Sequence, residues 1–194
     1  LSDWPKWLDL PLMPWINKMF KALNENYGFI FEAINNVLLA MLMGLKNFLV
    51  QAPWPLVIIG VVILAYFASG KKIKTTVAVG FCTFFIGFLH PRFWDKAIET
   101  TSIMLISIFL CMVIGVPIGI WMSRANKVRE KILPILDLMQ TIPAFVYLIP
   151  GIMLFGLGAV PAIIATFIYA VPPLVRLTDL GIRLVDTEVT EAAD

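Results

Sequence analysis

Apolar runs close to the length that crosses a lipid bilayer fill most of this chain. A membrane-spanning helix needs roughly 20 predominantly apolar residues, and a helix satisfies its backbone hydrogen bonds within its own segment. Five runs of this kind follow one another, over residues 53–68, 75–89, 98–122, 134–157 and 160–175. The sequence therefore predicts an all-α, polytopic integral membrane protein, with residues 53–175 as its transmembrane domain.

The amino-acid content agrees and excludes several classes of function. Hydrophobic residues make up 60% of the chain and charged residues only 14%, against about 25% charged in soluble domains. The net charge of +2 is too small to indicate nucleic-acid binding. Cys82 and Cys111 lie inside apolar runs, and the single histidine, His90, lies in a short connection. These residues predict no catalytic set, no metal site and no cofactor in this chain.

The first 52 residues differ from the rest and form a separate predicted segment. Residues 1–15 mix three tryptophans with three prolines, a composition typical of the headgroup region. Residues 18–50 carry apolar side chains at helical spacing, with Glu32, Asn36 and Lys46 on the opposite side. Charges near the middle of a span are costly, so this amphipathic helix is predicted to lie in the membrane interface. A tilted additional span is the alternative.

Glycines and prolines in the later apolar runs predict where helices pack closely and where they break. Gly115 and Gly119 have the small-xxx-small spacing that lets a neighbouring helix approach closely. Pro143 and Pro150 free backbone carbonyls in the run 134–157, which must be satisfied by protein or by a water-lined cavity. The run 134–157 is therefore a predicted wall of a pathway. The run 160–175 is predicted to break near its end at two consecutive prolines, 172 and 173.

Basic residues in the short loops predict the orientation. Two loops separated by two predicted spans are rich in them, and the positive-inside rule places both in the cytoplasm. The first loop contains Lys71, Lys72 and Lys74, and the second contains Arg124, Lys127, Arg129 and Lys131. Counting onward makes residues 176–194 cytoplasmic, and counting back places the amphipathic segment outside.

The polar end of the chain, residues 180–194, is predicted to dock on another protein. Asp186 or Thr187 can cap a new helix, and Glu188 and Glu191 then fall near its N-terminal end, where the helix dipole favours acids. Small residues beside these acids leave a smooth surface that suits a groove on a partner. A solvated helix end is the plainer alternative. The predicted docking residues are Arg183, Asp186, Glu188, Glu191, Ala192 and Ala193.

Several motifs together resemble the permease subunit of ABC importers for glycine betaine and related osmoprotectants. They are Gln-Thr-Ile-Pro-Ala-Phe-Val-Tyr-Leu-Ile-Pro at 140–150, Val-Pro-Pro-Leu-Val-Arg-Leu-Thr at 171–178, Gly-Ile-Arg at 181–183 and Glu-Ala-Ala at 191–193. Ser-Gly-Lys-Lys-Ile at 69–73 and Ile-Gly-Val-Pro-Ile-Gly-Ile-Trp-Met at 114–122 extend the likeness. The resemblance covers nearly all of residues 53–194, and the external amphipathic segment is similar to the N-terminal scaffold of the betaine branch.

This resemblance implies a type I importer core in the plasma membrane of a prokaryote. The implied partners are a pair of ABC ATPase subunits that bind ATP and Mg²⁺, a second permease copy, an external substrate-binding protein or domain, and membrane lipid. The Glu-Ala-Ala segment is then the coupling helix, and the C-terminal half of the permease is expected to be missing from this chain. Gln140, Phe145 and Tyr147 are predicted to line the translocation path, because aromatic faces attract a quaternary ammonium group. Packing of the two aromatic residues between helices is the alternative.

Other functions stay open from the sequence. Choline, carnitine or proline betaine are alternative cargoes within the same family. A secondary transporter needs an intramembrane carboxylate for ion coupling, and Asp137 is the only acid deep enough to consider. A membrane scaffold without transport is the third class, which the amphipathic N-terminal helix favours.

Overall fold

The computed structural model describes residues 12–185, and this part of the chain is helical, without a strand. Two short helices form a hairpin beside a bundle of longer ones. In chain order the helices are α1 (Leu12–Gln51), α2 (Trp54–Ala68), α3 (Ile73–Leu89), α4 (Pro91–Arg124), α5 (Asn126–Thr141), α6 (Ala144–Phe155) and α7 (Ala159–Arg183). The predicted all-α membrane fold is confirmed.

The pair α4 and α7 forms the centre of the bundle and shares the largest contact. Gly119 allows this approach, because a Cβ atom there would lie 2.6 Å from Cβ of Thr178 and 2.9 Å from the carbonyl oxygen of Val175. A Cβ at Gly115 would lie 3.2 Å from a Leu174 methyl group. The predicted close helix approach at these two glycines is therefore confirmed.

Two apolar clusters hold the bundle together, one toward each end of α7. The first joins α1, α4 and α7 through Leu38, Leu42, Ile106, Val160 and Ile163. The second joins α4, α5 and α7 through Cys111, Met122, Leu136, Val171 and Val175. Cys111 thus packs as a small apolar residue, as the sequence predicts. The lateral surface of the bundle is rich in exposed apolar side chains, as expected for a protein bathed in lipid.

Helix α1 packs on the bundle through the part of its length between Phe31 and Lys46. Phe31 packs edge-on against Phe155 at the end of α6, with ring centroids 5.6 Å apart. Leu38 and Leu42 share a cluster with Ile106 in the middle of α4. Lys46 lies 3.8 Å from Glu99 near the start of α4. The position of α1 in the membrane interface stays a prediction. Helix α1 is also long and apolar enough to cross a membrane, so the alternative of an additional span is compatible with its length.

Among the described residues, α1, α4 and α7 have the length and apolarity of membrane spans, and the bent pair α5–α6 counts as a fourth if it is one broken span. The predicted spans 53–68 and 75–89 appear as α2 and α3, which have 15 and 17 residues. Their length falls short of the roughly 20 residues of a straight span, so their crossing stays a prediction. Gly70 and Lys71, both with φ of 65°, make the tight turn between them.

Two predicted elements need correction. The run 134–157 is not one helix, because α5 begins earlier, ends at Thr141, and is followed by α6 at an angle of 92°. The run 160–175 does not break at its two prolines, because α7 continues through both to Arg183. Prolines are tolerated within membrane helices where neighbouring helices hold them. Here Val171 and Pro172 are buried, and hydroxyl and thiol groups of α4 donate hydrogen bonds to carbonyls of α7 earlier in the helix.

Candidate translocation and coupling sites

The break between α5 and α6 follows from the local sequence. Ile142 precedes Pro143, and the residue before a proline is pushed out of the helical region. Ile142 accordingly has an extended backbone, with φ −82° and ψ 125°. Pro143 then starts the next helix with its fixed φ of −56°. The chain thus turns through about a right angle within the apolar part of the bundle.

The hydroxyl of Tyr147 forms a hydrogen bond across the break between α5 and α6. In a continuous helix the carbonyl of Met139 would accept from the amide of residue 143, but that residue is a proline and has no N–H. Tyr147 Oη donates instead to the Met139 carbonyl oxygen, at 3.0 Å. The predicted need to satisfy a freed carbonyl is met by protein here.

The three predicted path residues surround this break but have different environments. Gln140 lies in the last turn of α5 and is exposed, and Phe145, in the first turn of α6, is 69% exposed. Tyr147 is half-buried and bonded across the break. The structure therefore brings the three together at one bend, with Phe145 as the ring most available to a ligand. Their role in translocation stays a prediction.

Asp137 forms an ion pair with Arg176 of α7. The Asp137 side chain is 64% exposed, so the pair lies at the surface of the bundle. Its charge is balanced within the chain, which weakens the case for Asp137 as the carboxylate of an ion-coupled transporter.

A buried carboxylate near the end of α7 organises the junction with α4 and α5. Asp179 is only 5% exposed in its side chain. One of its oxygens accepts from Arg129 Nε at 2.9 Å, and the other accepts from Arg183 Nε at 2.8 Å. A buried carboxylate with two charge-assisted hydrogen bonds is a strong anchor, because removing it would leave both guanidinium groups without their acceptor.

Arg183 extends this cluster to the end of α4. Its Nη2 atom donates to the carbonyl oxygen of Met122 at 2.9 Å and to Asn126 Oδ1 at 3.0 Å. Because α7 ends at Arg183, this side chain ties the last helical turn to α4 and α5. We call Arg129, Asp179, Arg183 and Asn126 the junction cluster.

Arg183 therefore makes contacts within the chain, and its role in docking on a partner stays a prediction. The other predicted docking residues, Asp186, Glu188, Glu191, Ala192 and Ala193, lie outside the described residues. The sequence analysis missed Asp179 and gave Arg129 only a role in orientation. One available signal was the acid placed four residues before Arg183, a spacing that pairs opposite charges on a helix.

Comparison with known proteins gives one family and several relatives. Residues 115–194 match the family described as the inner membrane component of binding-protein-dependent transport systems. The chain is 40% identical over 186 residues to the glycine betaine/carnitine transport permease protein GbuB of Listeria monocytogenes, covering 95% of this chain and 65% of the relative. It is 38% identical over 185 residues to the glycine betaine transport system permease protein OpuAB of Bacillus subtilis. This match covers 95% of this chain and 64% of the relative.

A third relative is the glycine betaine/proline betaine transport system permease protein ProW of Escherichia coli. The identity is 35% over 184 residues, covering 95% of this chain and 51% of the relative. The chain thus spans between 51% and 65% of the length of these three relatives. Each of these three relatives matches 95% of this chain.

Proposed function

We propose that this chain, whose residues 115–194 match the inner membrane component of binding-protein-dependent transport systems, is the permease subunit of an ATP-driven importer. Its proposed cargo is glycine betaine or a related quaternary ammonium osmoprotectant. The observation that carries this proposal is the match of 95% of the chain to permeases whose names contain glycine betaine. ATP is hydrolysed by a separate pair of ATPase subunits, and a second permease copy and an external binding protein complete the importer.

The junction cluster supports coupling between this chain and an ATPase. The predicted coupling region, residues 176–194, includes the end of α7, and its residues 186–194 follow in sequence after the described part of the chain. A displacement of that segment acts on α7, and through Arg183 and Asp179 on the ends of α4 and α5. Coupling of ATP binding to access requires contacts that differ between two states. We propose that the contacts of the junction cluster are the ones that differ between the two states.

The break between α5 and α6 supports a translocation path. Non-helical backbone at membrane depth is tolerated only where protein or a water-filled cavity surrounds it. Phe145 presents an exposed ring at this break, and an aromatic face attracts a quaternary ammonium group. Gln140 adds an exposed amide beside it. We assign the path to this bend.

The orientation follows from the loops and agrees with the packing. Arg129 lies in the first two turns of α5, among the basic residues predicted to be a loop, and contacts Asp179 near the end of α7. These two regions therefore lie at one end of the bundle. The positive-inside rule makes that end cytoplasmic, where ATP is available. Helix α1 contacts the end of α6 and the start of α7, away from Asp179, which supports a position toward the outer side of the plasma membrane.

Copurification tests the ATPase partner. The protein is extracted in mild detergent and the intact complex is weighed by native mass spectrometry, unchanged, with Glu191→Lys, and with Glu130→Lys as the control. Glu130 is an exposed acid on α5 outside the predicted docking segment. We expect a pair of ATPase subunits in the unchanged and control complexes and their loss with Glu191→Lys. A chain without ATPase in all three preparations contradicts the proposal and favours a secondary transporter or a scaffold.

A further inference from the structure

A pocket of about 470 Å³ lies where the start of α2, the end of α3 and the start of α4 meet. This volume is within the range of about 300–1,000 Å³ that is usual for small-molecule sites. The pocket is at the end of the α2–α3 hairpin opposite the turn with Gly70 and Lys71, and it is separate from the break at Pro143. Its lining residues are Trp54, Phe84, Gly87, Phe88, Trp94 and Asp95.

Four aromatic side chains form most of the pocket wall. The rings of Trp54 and Phe84 lie 6.3 Å apart at an angle of 49°, and Phe84 stacks on Phe88 at 6.0 Å. The indole of Trp94 lies beside Gly87, where a Cβ atom would be in ordinary van der Waals contact with Trp94 Cε3, at 3.4 Å. Rings from three helices therefore border one space.

Asp95 adds a negative charge to these walls. It is exposed, and within residues 12–185 no lysine or arginine nitrogen is recorded within 4.0 Å of its carboxylate. The neighbouring acid Glu99, by contrast, is paired with both Lys96 and Lys46. The charge of Asp95 is thus available to a ligand.

We propose that this pocket binds a methylated ammonium group. The aromatic faces attract a cation with low hydration, and Asp95 supplies the opposite charge. Tryptophans that only anchor a protein in the interface would not need a carboxylate in the same pocket. A free choline-type solute and the headgroup of phosphatidylcholine carry the same group, so either source fits. The site follows from the pocket itself and does not depend on the proposed import activity.

Equilibrium dialysis tests the site. Radiolabelled choline is dialysed against the full chain in phosphatidylglycerol nanodiscs, unchanged and with Asp95→Asn, which removes the charge at nearly constant shape. Glu130→Gln is the matched control, and Trp94→Leu removes one aromatic wall. We expect both pocket variants to weaken choline binding by about tenfold and the control to leave it unchanged. Unlabelled choline should compete, while its uncharged isostere with a tert-butyl group should not.

Phosphatidylcholine nanodiscs distinguish the two sources. If the headgroup is the natural occupant, choline binding to the unchanged chain is lost in phosphatidylcholine nanodiscs, where the lipid fills the site. This result supports the site and assigns it to lipid. Choline binding that depends on Asp95 and is equal in both kinds of nanodisc assigns it to a free solute. Equal binding by all variants, no binding of either ligand, or equal competition by the isostere would overturn the proposal. Unchanged circular dichroism of each variant shows that the helices are intact.

Discussion

The hydroxyl of Tyr147 donates a hydrogen bond to the carbonyl oxygen of Met139, at 3.0 Å, across a right-angle bend in the chain. Pro143 cannot supply the amide that this carbonyl would otherwise use. The Tyr147 side chain thus satisfies the carbonyl that Pro143 leaves without a backbone donor, and this hydrogen bond stabilises the bend. The exposed ring of Phe145 lies beside it.

Tyr147→Phe removes this hydrogen bond and keeps the ring. We expect the variant to lower the free energy of unfolding by about 1 kcal/mol, since a half-buried carbonyl loses its partner. Thermal unfolding in detergent measures the effect. Tyr169→Phe is the control, because the Tyr169 side chain is 54% exposed. Equal stability of the two variants would show that the bond does not support the bend.

Pro143→Ala restores the missing amide donor. We expect α5 and α6 to straighten, because alanine favours a helix interior over proline by about 3 kcal/mol. Spin labels at Lys131 and Ile149, after replacement of Cys82 and Cys111, report the separation. At 1.5 Å per residue the backbone separation is about 27 Å for a straight helix and about 19 Å for the bend.

Pro134→Ala, inside α5, is the control for this experiment and should keep the short distance. A short distance in Pro143→Ala as well would mean that packing of α6 on α7 holds the bend. Gly151 on α6 packs closely on Pro161 of α7, because a Cβ atom at this glycine would lie 3.3 Å from Pro161 Cβ.

Asp179→Ala removes the centre of the junction cluster. We expect a loss of about 2 kcal/mol of stability, between the values for buried and exposed ion pairs, since both arginines are partly exposed. Trypsin should also cleave faster after Arg183, because the end of α7 loses its anchor. Limited proteolysis followed by mass spectrometry measures the rate.

Asp137→Ala is the matched control for Asp179→Ala. Its carboxylate also pairs with an arginine, but it is 64% exposed, so removal should cost less than about 1 kcal/mol. Cleavage after Arg183 should keep its original rate. The same proteolysis in both variants would show that the junction cluster does not hold α7.

Gly119→Ala tests the close contact of α4 with α7. The new methyl group would overlap Thr178 and the Val175 carbonyl, so we expect a loss of about 2 kcal/mol and a weaker helix pair. Gly60→Ala, on α2, meets no atom within 4 Å and should leave stability unchanged or slightly higher. Thermal unfolding of the two variants compares them directly, and an unaffected Gly119→Ala would contradict the packing.

The sequence predicts features that depend on neighbouring residues. Gly115 and Gly119 indicate a close helix partner because small side chains leave room, and α7 occupies that room. His90, which lies in a short connection by sequence, caps α4, where its Nδ1 atom accepts a hydrogen bond from the Arg92 amide at 3.1 Å. Pro143 indicates a freed carbonyl, and Tyr147 satisfies it.

Features that depend on residues far apart in the chain could not be predicted from the sequence. Asp179 reads as one more acid in a polar segment until folding brings Arg129, 50 residues earlier, within 2.9 Å. The size of the bend at Pro143 depends on packing as well as on the proline. Prolines 172 and 173 do not end α7, because contacts with α4 hold the helix through them. The residue types indicate where a bend or a close contact can form, and contacts with distant residues determine the geometry that results.

Uptake into proteoliposomes tests the central claim, that this chain is the permease of an ATP-driven importer. The complex is reconstituted with its ATPase pair and external binding protein, ATP and Mg²⁺ are enclosed, and radiolabelled glycine betaine is added outside. We predict uptake that requires enclosed ATP and persists when ionophores remove every ion gradient. Uptake that follows an ion gradient and ignores ATP, or no uptake at all, would contradict the account.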